Sequence, residues 1–207
     1  MSVRTRWGYT LPELDSLPDL LSDEEFDEFT ANRYAGDVRI APNIKSACAA
    51  VRNYCGWHIF PSASCEMSVL MNDKRVTRVG NDLLIQLPAA FVTEVESVTI
   101  DGETYMATCE TNGILRAYDV DFSTLKRYSP IEVTYTAGVD EDTIDELKEL
   151  IASRVTHATA SSNGITSEAA GGVSVTYNAS WVNSASATTL PDSSKEVLSP
   201  YRVRGVF

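Results

Sequence analysis

The sequence predicts an α+β protein: a small helical bundle with an inserted β-rich unit and an extended C-terminal tail. Three observations predict it. Apolar residues recur at helical spacing in two separated stretches, Ile44, Ala47, Cys48, Val51 and Cys55 in one and Ile144, Leu147, Ile151, Val155 and Ala158 in the other. From about residue 65 to 137 the period changes to the alternation of strands. Within that region Asp101-Gly102 fits a two-residue hairpin turn whose residues take positive φ. Residues 1–64 therefore read as N-terminal core helices, 65–137 as the inserted β-rich unit, and 138–207 as a long core helix, a strand and a docking tail.

Along the chain, Ser22-Asp-Glu-Glu supplies an N-cap hydroxyl and a glutamate three residues on, the pattern of a capping box. Acids in that first turn also favour the positive helix end. Phe26 and Phe29 give this helix a short apolar face, and it is expected to fray by Ala35-Gly36. A second helix starts near Ala41-Pro42, with proline at a tolerated early position, and Gly56 ends it. Strands follow at "EMSVLM", "RVTRVG", "LLIQL", "VESVTI", "GILRAY" and "IEVTYT". The longest helix is expected from about Glu141 to Ala160, stopped by Asn163-Gly164. Beyond it, "SEAAGGVSVTYNASW" offers one glycine-led strand, "VNSASATTLPDSS" a polar linker, and "KEVLSPYRVRGVF" a brief helix and the tail. No internal repeat is present.

A chain of 207 residues with 43% hydrophobic content buries enough surface to need no disulfide staple. It carries no apolar run that spans a bilayer, and its first residues lead into no apolar signal core, so it is expected to be soluble, with no membrane partner, and folded in a cytoplasm. The formal net charge of -12 argues against gripping nucleic acid by phosphate neutralisation. Acid concentrates in "SDEEFDEF" and "DEDTIDELKE", whereas Arg202 and Arg204 gather at the C-terminus.

The stretch "NYCGWHIFPSASC", residues 53–65, raises the question of chemistry. A zinc site would need Cys48, Cys55, His58 and Cys65 to converge, but only Cys55-x-x-His58 has ligand spacing. No signature of a cysteine nucleophile surrounds Cys55, and His157, the other histidine, falls mid-helix. Walker, dinucleotide, H-E-x-x-H and G-x-S-x-G motifs are all missing. Paired carboxylates in the acid-rich helices are accounted for by helix electrostatics. The expectation is a structural joint with no catalytic residue, no metal and no cofactor. An enzyme built on Cys55 and His58 remains the rival, and it requires a thiol of depressed pKa.

Taken in order, several segments resemble the head-to-tail adaptor (connector, or head completion) proteins of long-tailed bacteriophages. "IKSACAAVRNYCGWHIFP" looks like their second helix, which often closes on this Cys-Gly-Trp-His run. "LLIQLP", "VTEVESVTIDGETY", "NGILRAY" and "IEVTYTAGV" resemble the β insertion many of them carry. "LKELIASRVTHA" resembles their long helix, and "EAAGGVSVTYNAS" with "VLSPYRV" their strand-and-tail ending. The similarity runs over roughly residues 41–204; the departure from the pattern lies in the acidic N-terminal segment.

The resemblance implies a structural virion protein of the phage neck, a twelvefold homo-oligomeric ring beneath the portal. DNA would pass through its lumen without sequence-specific binding, and a stopper or tail completion protein would bind the far side. Assembly would take place in the host cytoplasm. A stopper or tail-terminator component of the same neck, or a β-rich surface-binding module, is the alternative. In the tail, Pro200 stops the preceding helix, so the final residues are expected to be extended or disordered in the free subunit. Tyr201, Val203, Val206 and Phe207 alternate with Arg202 and Arg204, a composition suited to docking. The resemblance makes the portal the docking site of these six residues. Deleting residues 200–207 is then expected to leave the fold intact and to abolish portal binding.

Overall fold

The computed structural model describes residues 2–110, 113–161, 167–170, 173–176 and 190–203. Among them the chain is α+β, with four α-helices, a six-stranded and a four-stranded antiparallel sheet, and a separate two-stranded hairpin. It divides into two compact units, one drawn from Met1–Pro18, Cys55–Glu141 and Tyr201–Phe207, the other from Asp19–Tyr54 and Asp142–Pro200. No helix among the described residues is long and apolar enough to cross a membrane.

The first unit holds both large sheets. Strands β1 (Val3–Arg4), β2 (Tyr9–Leu11), β3 (Ala63–Leu70), β6 (Val92–Ile100), β7 (Glu103–Thr104) and β10 (Pro130–Ala137) form one, in the order β1-β2-β3-β10-β6-β7. Strands β4 (Val76–Val79), β5 (Asp82–Gln86), β8 (Ala107–Glu110) and β9 (Ile114–Ala117) form the other, ordered β4-β5-β9-β8. Central strand β10 runs in register with β3 from Pro130↔Leu70 to Ala137↔Ala63. Its alternation decides the faces: Ile131, Val133, Tyr135 and Ala137 are buried with Cys65, Met67 and Val69, while Glu132, Glu66 and Ser68 face solvent. Asp101 and Gly102 take φ 54 and 87, the positive pair of the expected turn, and join Ile100 to Glu103. Strands β1 and β2 were not expected. Two and three residues are too few to show an alternating period; pairing with β3 defines β2, and pairing with β2 defines β1.

The second unit is mostly helical. Helix α1 (Asp23–Phe29) begins with the expected capping box: Ser22 Oγ accepts from Glu25 N at 3.2 Å, and Glu25 Oε2 accepts from Ser22 N at 2.8 Å. It ends earlier than expected, because the Thr30 hydroxyl donates back to Phe26 O at 2.9 Å and Ala31 and Asn32 turn to φ 50 and 60. Helix α2 (Ile40–Cys55) keeps its expected extent and is followed by Gly56 at φ +83. Helix α3 (Asp145–Ser161) starts one turn late, since Glu141–Thr143 form a short 3-10 turn first. Asn43 Nδ2 donates to Thr159 Oγ1 at 3.1 Å, a tie between α2 and α3. Where one strand was expected near residue 170, the chain makes a hairpin of β11 (Ser167–Ala170) and β12 (Val173–Thr176). Helix α4 (Asp192–Leu198) is the expected brief helix, and it takes in the last residues of the expected polar linker. The Asn163-Gly164 stop and the linker up to residue 189 lie outside the described residues.

Candidate functional site

The stretch after α2 is built as an interlocked joint within the first unit. Gly56 reverses the chain, and Trp57 follows with no exposed surface. Its ring stacks on Phe91 at 5.9 Å between centroids, with 30° between planes. The indole Nε1–H donates to the Tyr201 carbonyl at 2.6 Å, and the Phe91 ring in turn meets that of Tyr201 at 5.8 Å.

His58 is also fully buried, and both ring nitrogens are engaged. Nε2 lies 3.0 Å from Pro61 O and 3.1 Å from Ala137 O. Carbonyls only accept, so Nε2 carries the proton and donates. Nδ1 then accepts from the Tyr9 hydroxyl at 2.7 Å, and that hydroxyl accepts the His58 N–H at 3.1 Å. Ile59 turns at φ 68, and its carbonyl accepts from Val139 N at 2.9 Å. One imidazole thereby ties β2, the joint and the end of β10 together. Sequence reasoning missed Tyr9 and Phe91; each lies tens of residues from its partner, and no local pattern marks either.

The thiols are held in their neutral form. Burial pushes Cys55 up to about 12, against a weak opposing pull from Arg202, and burial likewise pushes Cys65 up to about 12. Burial also raises Cys48, although Leu20 N donates to its Sγ at 3.3 Å. A nucleophilic cysteine requires the opposite displacement. Among the described residues no group of three or more His, Cys, Asp and Glu side chains is arranged to hold a metal ion. In the acid-rich helices Glu25 forms an ion pair with Lys148 Nζ rather than facing a second carboxylate.

At the C-terminus the structure corrects one expectation. Tyr201 lies in a 3-10 turn, Ser199–Tyr201, and Val203 is buried, its N–H donating to Cys55 O at 3.0 Å. The segment up to Val203 is therefore fastened to the rest of its unit by the Trp57 indole bond to Tyr201 O, the Val203 N–Cys55 O bond and the Tyr201 ring, not extended. Arg202 between them is exposed. Of the six residues expected to dock, Arg204, Val206 and Phe207 lie outside the described residues. Comparison with known proteins gives no match, either to a family model or to a curated protein.

Proposed function

We propose that the protein is a structural component of the bacteriophage neck, an adaptor whose copies form a ring joining the portal to the tail. One observation carries this reading. The chain leaves its helical unit after Tyr54, passes through the Cys-Gly-Trp-His joint into a β unit, and re-enters the helical unit at Asp142. That is the order in which the adaptor-like segments occur over residues 41–204, although the β unit also takes strands β1 and β2 from the N-terminal segment that has no place in the resemblance. The role is mechanical: subunits bridge portal and tail, and the lumen passes DNA. A net charge of -12 suits a wall that repels phosphates rather than one that holds them with salt-dependent affinity.

The buried thiols and the fully engaged His58 support a joint rather than a catalytic dyad. In this reading Tyr201 and Val203 anchor the C-terminal segment on its own subunit. Arg202, Arg204, Val206 and Phe207 carry the portal contact, with the arginines meeting acidic or carbonyl groups there. The far side receives a stopper or tail completion protein. The test is mass measurement of the purified chain alone and mixed with a portal. A portal complex is expected for the full chain, and its loss on removal of residues 204–207. A full chain that leaves the portal's mass unchanged overturns the reading.

A further inference from the structure

Two polar groups of the joint take their partners from the C-terminal segment. Cys55 is the last residue of α2, so its carbonyl is one of the helix-end acceptors that have no donor within the helix. Trp57 has no exposed surface, so its indole N–H needs an acceptor inside the protein. Val203 N meets the first need at 3.0 Å, and Tyr201 O meets the second at 2.6 Å. The same two residues supply the side chains: the Tyr201 ring lies 5.8 Å from that of Phe91, and Val203 is 6% exposed. A carbonyl at one residue, an N–H two residues on, and an aromatic and a β-branched side chain at those two positions form the kind of pattern by which a folded domain reads a short peptide. Cys55, Trp57, Phe91, Tyr201 and Val203 all belong to the first unit. Only four residues follow Val203, so release of the segment unthreads no other part of the chain.

We propose that the Cys55–Trp57–Phe91 surface is a peptide receptor for a Tyr-x-Val segment, and that it takes this segment from a second copy of the chain as well as from its own. The fold itself names the occupant: the chain's own segment sits there, and a second copy offers the identical one. Exchange needs no contact that the single chain does not already make, which is why swapping a terminal element is a low-cost route to linked copies. A lone chain fills its own site, because the tether holds the segment at an effective concentration on the order of millimolar. Copies held side by side present one another's segments at a comparable concentration, and there the neighbour's segment competes. In a ring of the kind proposed above, each segment then ties one copy to the next. That consequence rests on the neck reading; the receptor does not.

Two full-length variants and one peptide test it. Tyr201→Ala/Val203→Pro removes the ring and the N–H and so empties the site, whereas Trp57→Phe removes the indole donor and so loosens the chain's own segment. The peptide is residues 199–203 with both ends blocked. The readout is the Trp57 indole N–H resonance of the isotope-labelled Tyr201→Ala/Val203→Pro chain. The peptide is expected to move that resonance saturably to its wild-type position, with half-saturation at about 1 mM, the scale of a few contacts without a tether. Tyr201→Ala or Val203→Ala in the peptide is expected to weaken binding at least about tenfold. Unlabelled Trp57→Phe chain is expected to move the same resonance, because its intact segment fills the vacant site of the labelled copy. Unlabelled Tyr201→Ala/Val203→Pro chain is expected to leave it in place. Should the double variant lose the wild-type circular dichroism, Val203→Pro alone serves as the labelled chain. A resonance that neither the peptide nor the Trp57→Phe chain moves overturns the receptor. One that the peptide moves but the Trp57→Phe chain does not overturns the exchange between copies, and equal binding of a scrambled peptide overturns the Tyr-x-Val pattern. No portal enters these measurements, so the neck reading stands or falls on its own experiment.

Discussion

Trp57 donates its indole N–H to the carbonyl of Tyr201 at 2.6 Å, across 144 residues of chain. Together with the bond from Val203 N to Cys55 O, it makes residues 201–203 part of the folded unit. Removing residues 201–207 is expected to lower stability by about 1–3 kcal/mol, since a buried donor loses its acceptor. Removing only residues 204–207 keeps both bonds and is expected to leave the urea midpoint unchanged. Trp57→Phe, which retains a ring but loses the N–H, is expected to cost about 1–2 kcal/mol. Equal midpoints for the two truncations would show that the anchor contributes nothing.

Gly56 and Gly138 both take positive φ, +83 and +139, but only Gly138 is crowded. A Cβ at Gly138 would collide with Pro61 O and the Ser62 backbone, whereas nothing lies within 4 Å of one at Gly56. Gly56→Ala is expected to cost about 1 kcal/mol, the penalty of a left-handed residue alone. Gly138→Ala is expected to cost about 3 kcal/mol or more, or to prevent folding. Comparable midpoints for the two variants in urea would contradict this.

The thiols are expected to react in a fixed order. Cys109 is the one cysteine with partial exposure, while Cys48, Cys55 and Cys65 are buried and their thiolates disfavoured. A disulfide reagent at neutral pH should label Cys109 first, and the other three only as the protein opens in denaturant. Fast labelling of native Cys55, read by peptide mass, would instead revive the nucleophile.

Acid should weaken the helical unit through Glu25. Burial alone would raise this carboxyl, but hydrogen bonds from Lys148 and Ser22 hold it below its ordinary value. A depressed folded pKa gives stability that is present above the unfolded value, about 4.3, and is lost as pH falls through the folded one. Wild type should therefore lose helical signal more steeply than Glu25→Gln as pH falls below about 4.3 in moderate urea. Parallel profiles for the two proteins would remove Glu25 from the account.

Removing the Tyr9 hydroxyl takes one partner from His58 Nδ1 and another from the His58 N–H. Tyr9→Phe is expected to cost about 1–3 kcal/mol, because both atoms are buried. Hydrogen exchange at the His58 amide is the direct readout, and unaltered protection would count against the network.

Local chemistry made much of this protein legible from sequence. The Ser22 capping box, the Gly56 stop, the Asp101-Gly102 turn and the β3 and β10 alternations need only neighbours in the chain, so residue type and spacing determine them. What the sequence left undetermined depends on partners far away in the chain. Strand β2 exists because β3 offers it an edge and β1 because β2 does, and His58 is engaged because Tyr9 and Ala137 reach it from distant segments. Tyr201 and Val203 looked like a loose ending because hydrogen bonds to Trp57 and Cys55 leave no trace in local composition. Periodicity reports which face of an element is buried; only the tertiary structure decides which carbonyl meets which donor, because that choice depends on contacts the chain's local order does not encode.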